Sequence, residues 1–167
     1  MTSTSVTPAS LVAGATGNVT VGFTNSDAIP VNGDVQITFP SGFDLTGVIA
    51  SSASSTAGDI TGTLTASISG QVLTVNLGSG LNASVVVDDL VIANVKNPGV
   101  SGLTGTFAIE TQNASDVKIA EGTANGVTIT AGSLSSTSVT PASLTAGAVG
   151  NVTASFTTSN AIPLDGK

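Results

Sequence analysis

Residues 18–40 read NVTVGFTNSDAIPVNGDVQITFP. Val19, Val21 and Phe23 share one parity, and Val35, Ile37 and Phe39 repeat the arrangement beyond an Asn32-Gly33 turn signal. Successive side chains of a strand point to opposite faces, so each trio presents an apolar face while Thr20, Thr24, Gln36 and Thr38 present a polar one. β-Branched Thr suits such a pleated, solvated face. Pro40 closes the second segment because it cannot donate to a ladder. The stretch therefore predicts two half-buried strands and no helix.

The same period runs outward from it. Leu73, Val75 and Leu77 form one further set, Leu103, Gly105, Phe107 and Ile109 another, and Val127, Ile129 and Ala131 a last. Ser69-Gly70, Asn97-Pro98-Gly99 and Asn125-Gly126 punctuate the intervals. Strands are expected over 4–8, 17–25, 34–40, 60–68, 71–77, 84–95, 103–112, 116–121 and 126–132. About nine short strands with turn signals between them imply an all-β, antiparallel two-sheet β-sandwich with Greek-key connections. Its expected core is Val19, Phe23, Val35, Ile37, Phe39, Leu73, Val75, Phe107 and Ile109. Residues 41–59, SGFDLTGVIASSASSTAGD, are the least periodic and read as a long loop. Residues 84–95, SVVVDDLVIANV, are apolar on both parities. They read as a strand buried on both faces or bulged at Asp88-Asp89, with a short helix as the rival.

Composition narrows the function. Of 167 residues, 40% are hydrophobic, enough for one domain core, yet the only aromatics are five Phe. Charged residues make up 8%, against about 25% in ordinary soluble domains. The net charge of −7 and the absence of Arg leave no basic patch, so no nucleic-acid partner is expected. No run approaches the ~18–20 apolar residues of a spanning helix, and no membrane insertion is expected. Without His or Cys, the usual general base, activated nucleophile and soft metal ligands are missing, and no enzymatic activity is expected. Met1 is followed directly by TSTSV, so any export signal is expected elsewhere in a parent chain.

The opening of the chain also returns at its end. Ser3–Asp34, STSVTPASLVAGATGNVTVGFTNSDAIPVNGD, reappears at Ser136–Lys167 as STSVTPASLTAGAVGNVTASFTTSNAIPLDGK, displaced by 133 positions with 23 of 32 residues identical. Self-similarity at one fixed period marks an array. Residues 1–134 are read as one sandwich module and 135–167 as the first strands of the next. Val139, Leu144, Val149, Val152, Phe156, Ile162 and Leu164 are too few to offset the ordering of this tail by themselves. Its own module, a neighbouring chain or a lattice is expected to hold it.

In order, VTPASLVAGATGNVTVGFT, DAIPVNGD, ITFPSGF, IANVKNPG and GTFAIET resemble the tandem Ig-like β-sandwich repeats of large extracellular stalk and adhesin-type surface proteins. The resemblance spans about residues 3–132. It implies an extracellular or cell-surface location, a spacing and tension-carrying role, neighbouring repeats of the same protein as partners, and no catalytic residues. An alternative is a filament subunit that self-assembles through residues 135–167, donated or swapped between modules. A second alternative is a weak carbohydrate- or calcium-binding surface module. The lack of Trp and Tyr removes the flat platforms on which sugars stack.

Few side chains nominate themselves as sites. No cofactor is implied, but Asp88 and Asp89, with Asp116 or Asp59 as neighbours, could supply oxygen ligands to calcium. Solvated carboxylates at a bulge are the competing reading. Asn18, Asn82, Asn113 and Asn151 begin N-x-S/T sequons and are candidate glycan acceptors. Lys96 and Lys118, with Glu110 and Glu121, raise the question of a Lys-Asn isopeptide crosslink, which requires a buried amine.

Overall fold

The computed structural model describes residues 1–56 and 58–162 and is all-β, consistent with a β-sandwich. In chain order the strands are β1 (Thr2–Pro8), β2 (Thr16–Thr24), β3 (Gly33–Thr38), β4 (Ala53–Ser54), β5 (Leu64–Ser69), β6 (Val72–Leu77) and β7 (Val86–Lys96). They continue with β8 (Gly102–Leu103), β9 (Phe107–Gln112), β10 (Lys118–Ala124), β11 (Thr128–Ile129), β12 (Leu134–Pro141) and β13 (Val152–Thr158). One antiparallel sheet has the order β1-β2-β7-β4, and a second has the order β10-β9-β3-β6-β5. Strands β11-β8 and β12-β13 form two small ribbons. Leu164 and Lys167 lie outside the described residues.

The parity pattern becomes a shared core. Val19, Val21 and Phe23 of the first sheet and Val35, Ile37, Leu73, Val75, Phe107 and Ile109 of the second are all at most 1% exposed and belong to one cluster. Ile37 stands opposite Leu73 on one side and Ile109 on the other, so the central strand is flanked by aliphatic partners in register. The segment 84–95 is strand, not helix. Its pairing with β2 passes from Val21↔Leu90 to Phe23↔Val87, so β7 carries an extra residue in the interval that holds Asp88 and Asp89.

Three expectations are corrected. Residues 103–112 do not form one strand, and Leu103 is 76% exposed. Thr104 exchanges bonds with Val127, its N–H donating to the Val127 carbonyl and its Oγ1 accepting from the Val127 N–H, both at 2.9 Å. That pulls 102–104 out to β11 before the chain re-enters the core at Phe107. The strand expected at 116–121 begins at Lys118 instead, because the Asn113 Oδ1 accepts from the N–H groups of Ser115 and Val117 and folds 113–117 into a turn. The stretch 41–59 is more than loop. It holds a 3₁₀ turn at Ala50–Ser52 and strand β4, and buries Phe43, Leu45, Val48 and Ala53. Phe43 closes a triangle with Phe39 and Phe107, every pair of ring centroids being 5.5 Å apart.

Candidate functional site: a second hairpin and its junction

Strands β12 and β13 reproduce β1 and β2 in atomic detail. Val6↔Val21, Thr7↔Thr20 and Pro8↔Val19 reappear as Val139↔Ala154, Thr140↔Thr153 and Pro141↔Val152. The register shift between Thr2 and Ser5 recurs between Ser135 and Ser138, and Ser3 at φ 53° is matched by Ser136 at φ 51°. Beyond the strands, Ala9 N–H to Asn18 O (2.8 Å) becomes Ala142 N–H to Asn151 O (2.8 Å). Ser10 Oγ accepts from the Val12 N–H at 3.2 Å, as Ser143 Oγ accepts from the Thr145 N–H at 3.2 Å.

The surroundings differ most. Val6, Val19, Phe23 and Ile29 are at most 4% exposed, while Val139, Val152, Phe156 and Ile162 are 55–72% exposed. Strand β2 has β7 on its far edge; among the described residues β13 has no such neighbour. The second hairpin thus presents both an apolar face and an open ladder edge, a surface of the kind that a strand and a sheet normally cover.

The hairpin meets the module at a built platform. Loop 10–15 is held from below by the buried Asn97, whose Nδ2 donates to Ser10 O (2.7 Å) and Val12 O (3.0 Å), and by Gly14 N–H to Pro98 O (2.8 Å). From the side it is tied to the residue just after β11 through Thr130 N–H to Leu11 O (2.7 Å) and Ala13 N–H to Thr130 O (2.8 Å), a parallel bridge at Val12. Onto this platform Asn160 Nδ2 donates to Ala13 O at 3.0 Å. A Cβ on Gly132 would fall 2.2 Å from Ser159 Oγ, so glycine permits the close approach there. Sequence reading treated Asn97-Pro98-Gly99 as punctuation only; nothing local marks it as the anchor of a loop more than eighty residues away.

The nominated side chains lie elsewhere. Ligand atoms of Asp59, Asp88 and Asp89 fall within 4.8 Å of one another, and Asp116 is not in this group. Asp89 accepts from Ser55 Oγ (2.6 Å) and from the N–H and hydroxyl of Thr56, pinning residues 55–56 to β7. Asn18, Asn82 and Asn151 are exposed, whereas Asn113 is half-buried and its side-chain oxygen is committed to its own turn. Lys118 is exposed and bonds Glu110 and Glu121, each at 2.8 Å. Those bonds hold its amine above the ordinary lysine range, and the bond from Lys118, then that from Gln112, holds the Glu110 carboxyl below its own. An open cleft of about 550 Å³ lies between Ile29-Pro30, Asp59 and Ser79–Asn82, its lining formed of small and aliphatic residues with one acid. Comparison with protein families, curated proteins and solved structures finds no match for this chain.

Proposed function

We propose that the chain is one Ig-like β-sandwich repeat followed by the opening hairpin of the next, part of a long extracellular stalk, adhesin or filament protein. Its work is to span distance and carry tension, with neighbouring repeats as its partners. The supporting observation is the hairpin copied at a fixed displacement, in identical register, and set against its predecessor through Gly132 and Asn160. A chain continued beyond Gly166 by a second copy of residues 34–132 would complete the second module. Pulled from its ends, it should give two separate unfolding events, each releasing about 45 nm of chain. A single event would defeat the reading.

The exposed face of β12–β13 favours assembly as a second reading. Against donation stands the fact that each module already holds its own β1–β2, so exchange uncovers as much apolar surface as it covers. Light scattering over a dilution series, on the full chain and on one ending at residue 134, separates the two. Growth with concentration only when the tail is present would support assembly.

A further inference from the structure

We infer that the β12–β13 hairpin is matched to a β7-type strand different from this module's own, so that successive repeats do not exchange their opening hairpins. The inference rests on the array reading. Of the nine positions at which the two copies differ, three cluster where the first hairpin meets β7 and its approach: Val21, Gly22 and Asn25 have become Ala154, Ser155 and Thr158. Other buried apolar residues, including Val19 and Phe23 opposite Ile92 and Val87 of β7, are kept: Val6, Val19, Phe23 and Ile29 return as Val139, Val152, Phe156 and Ile162. Thr16, opposite Lys96 of β7, has also changed, to Val149, and the other five changes lie outside β2.

Two of the replacements, at Val21 and Asn25, fail in this module, each for its own reason. Val21 is fully buried opposite Leu90, and alanine in its place would leave a void there. Gly22 sits against the bulge of β7. A Cβ on it would lie 2.6 Å from Ser5 Oγ, a contact within the hairpin, where Ser138 likewise pairs with Ser155, and at an ordinary 3.4 Å from the Val87 carbonyl oxygen, so this change is neutral toward β7. Asn25, 1% exposed, donates Nδ2 to Asn82 O at 2.7 Å and to Asp27 O at 2.8 Å. Threonine has no amide with which to make either bond. The partner that fits β13 is thus a strand bulkier toward position 154 and preceded by a turn that asks for no amide from position 158. This is discrimination by misfit toward the wrong neighbour, in a protein whose repeats otherwise share a register.

The test uses the chain continued from Gly166 by a copy of residues 34–132, alone and with Ala154→Val, Ser155→Gly and Thr158→Asn together. Hydrogen exchange is read on hairpin peptides 16–25 and 149–158, whose masses differ in both chains because Asn25 corresponds to Thr158 in the unrestored one and Thr16 to Val149 in either. In the unrestored chain β13 amides should exchange at least about 100-fold faster than those of β2, roughly tenfold each for the lost methyls and the lost amide. Restoration should bring the two hairpins within about tenfold. Equal protection of β2 and β13 before restoration overturns the inference and leaves the array reading standing. A partly protected β13 that restoration does not change overturns it likewise. Free-peptide exchange of β13 in both chains defeats the array reading, and the inference falls with it.

Discussion

The two hairpins of this chain share register, bulge, turn geometry and most of their sequence, yet Phe23 is 1% exposed and Phe156 is 55% exposed. Their pairing is thus written in the local sequence, while burial is supplied by β7 alongside and by the second sheet across the core. The pattern of Thr and Val that makes β1–β2 amphipathic needs a second sheet to become a core, and β12–β13 carries the pattern without the sheet.

The largest expected effect sharpens this comparison. Phe23→Ala should cost about 3–5 kcal/mol in denaturant unfolding, whereas Phe156→Ala in the same chain should change the midpoint hardly at all. Equal losses at the two positions would mean that the tail is buried in solution. Next comes Asn97→Ala, which strips loop 10–15 of the two bonds from the Asn97 amide and should cost about 1–3 kcal/mol; the second hairpin's loop, 143–148, should be untouched. Amide exchange at Gly14 and Gly147 checks the asymmetry, faster only at Gly14.

The smallest effect concerns the β9–β10 edge, where β10 meets β1 through the Thr4 hydroxyl, which donates to Thr123 O at 2.7 Å. The depressed Glu110 carboxyl contributes stability that is present above its unfolded pKa and lost as pH falls through its folded value. The raised Lys118 amine contributes below its unfolded pKa and loses this as pH rises through its folded value. Between the two windows the contribution is flat. Glu110→Gln should therefore lower the urea midpoint slightly at pH 7 and leave it unchanged at pH 2, with added salt shrinking the difference.

Much of this was legible beforehand where period two was unbroken. Val19 through Phe39 and Leu73 through Leu77 went inside as their parity demands, and the irregularity at Asp88-Asp89 is a bulge. Phe43, Leu45, Val48 and Ala53 escaped because they reach the core from an irregular segment, at spacings that match neither helix nor strand. Leu103 misled because it continues the parity of Phe107, while Thr104 bonds break the strand between them. For the acidic group, pattern could offer Asp59 or Asp116 as companions to Asp88-Asp89; choosing between them required the path of the chain, which brings Asp59 alongside.

The parallel bridge between Val12 and Thr130 has a mechanical meaning. A pull on the module's two ends drives these neighbouring segments in opposite senses along their shared length. The bonds Thr130 N–H to Leu11 O and Ala13 N–H to Thr130 O are then strained in shear, together, where an antiparallel pair tugged from one end would unzip rung by rung. A small clamp of this kind lies beside the spot where the second hairpin is seated, so a load passed through that seat would meet bonds sheared together.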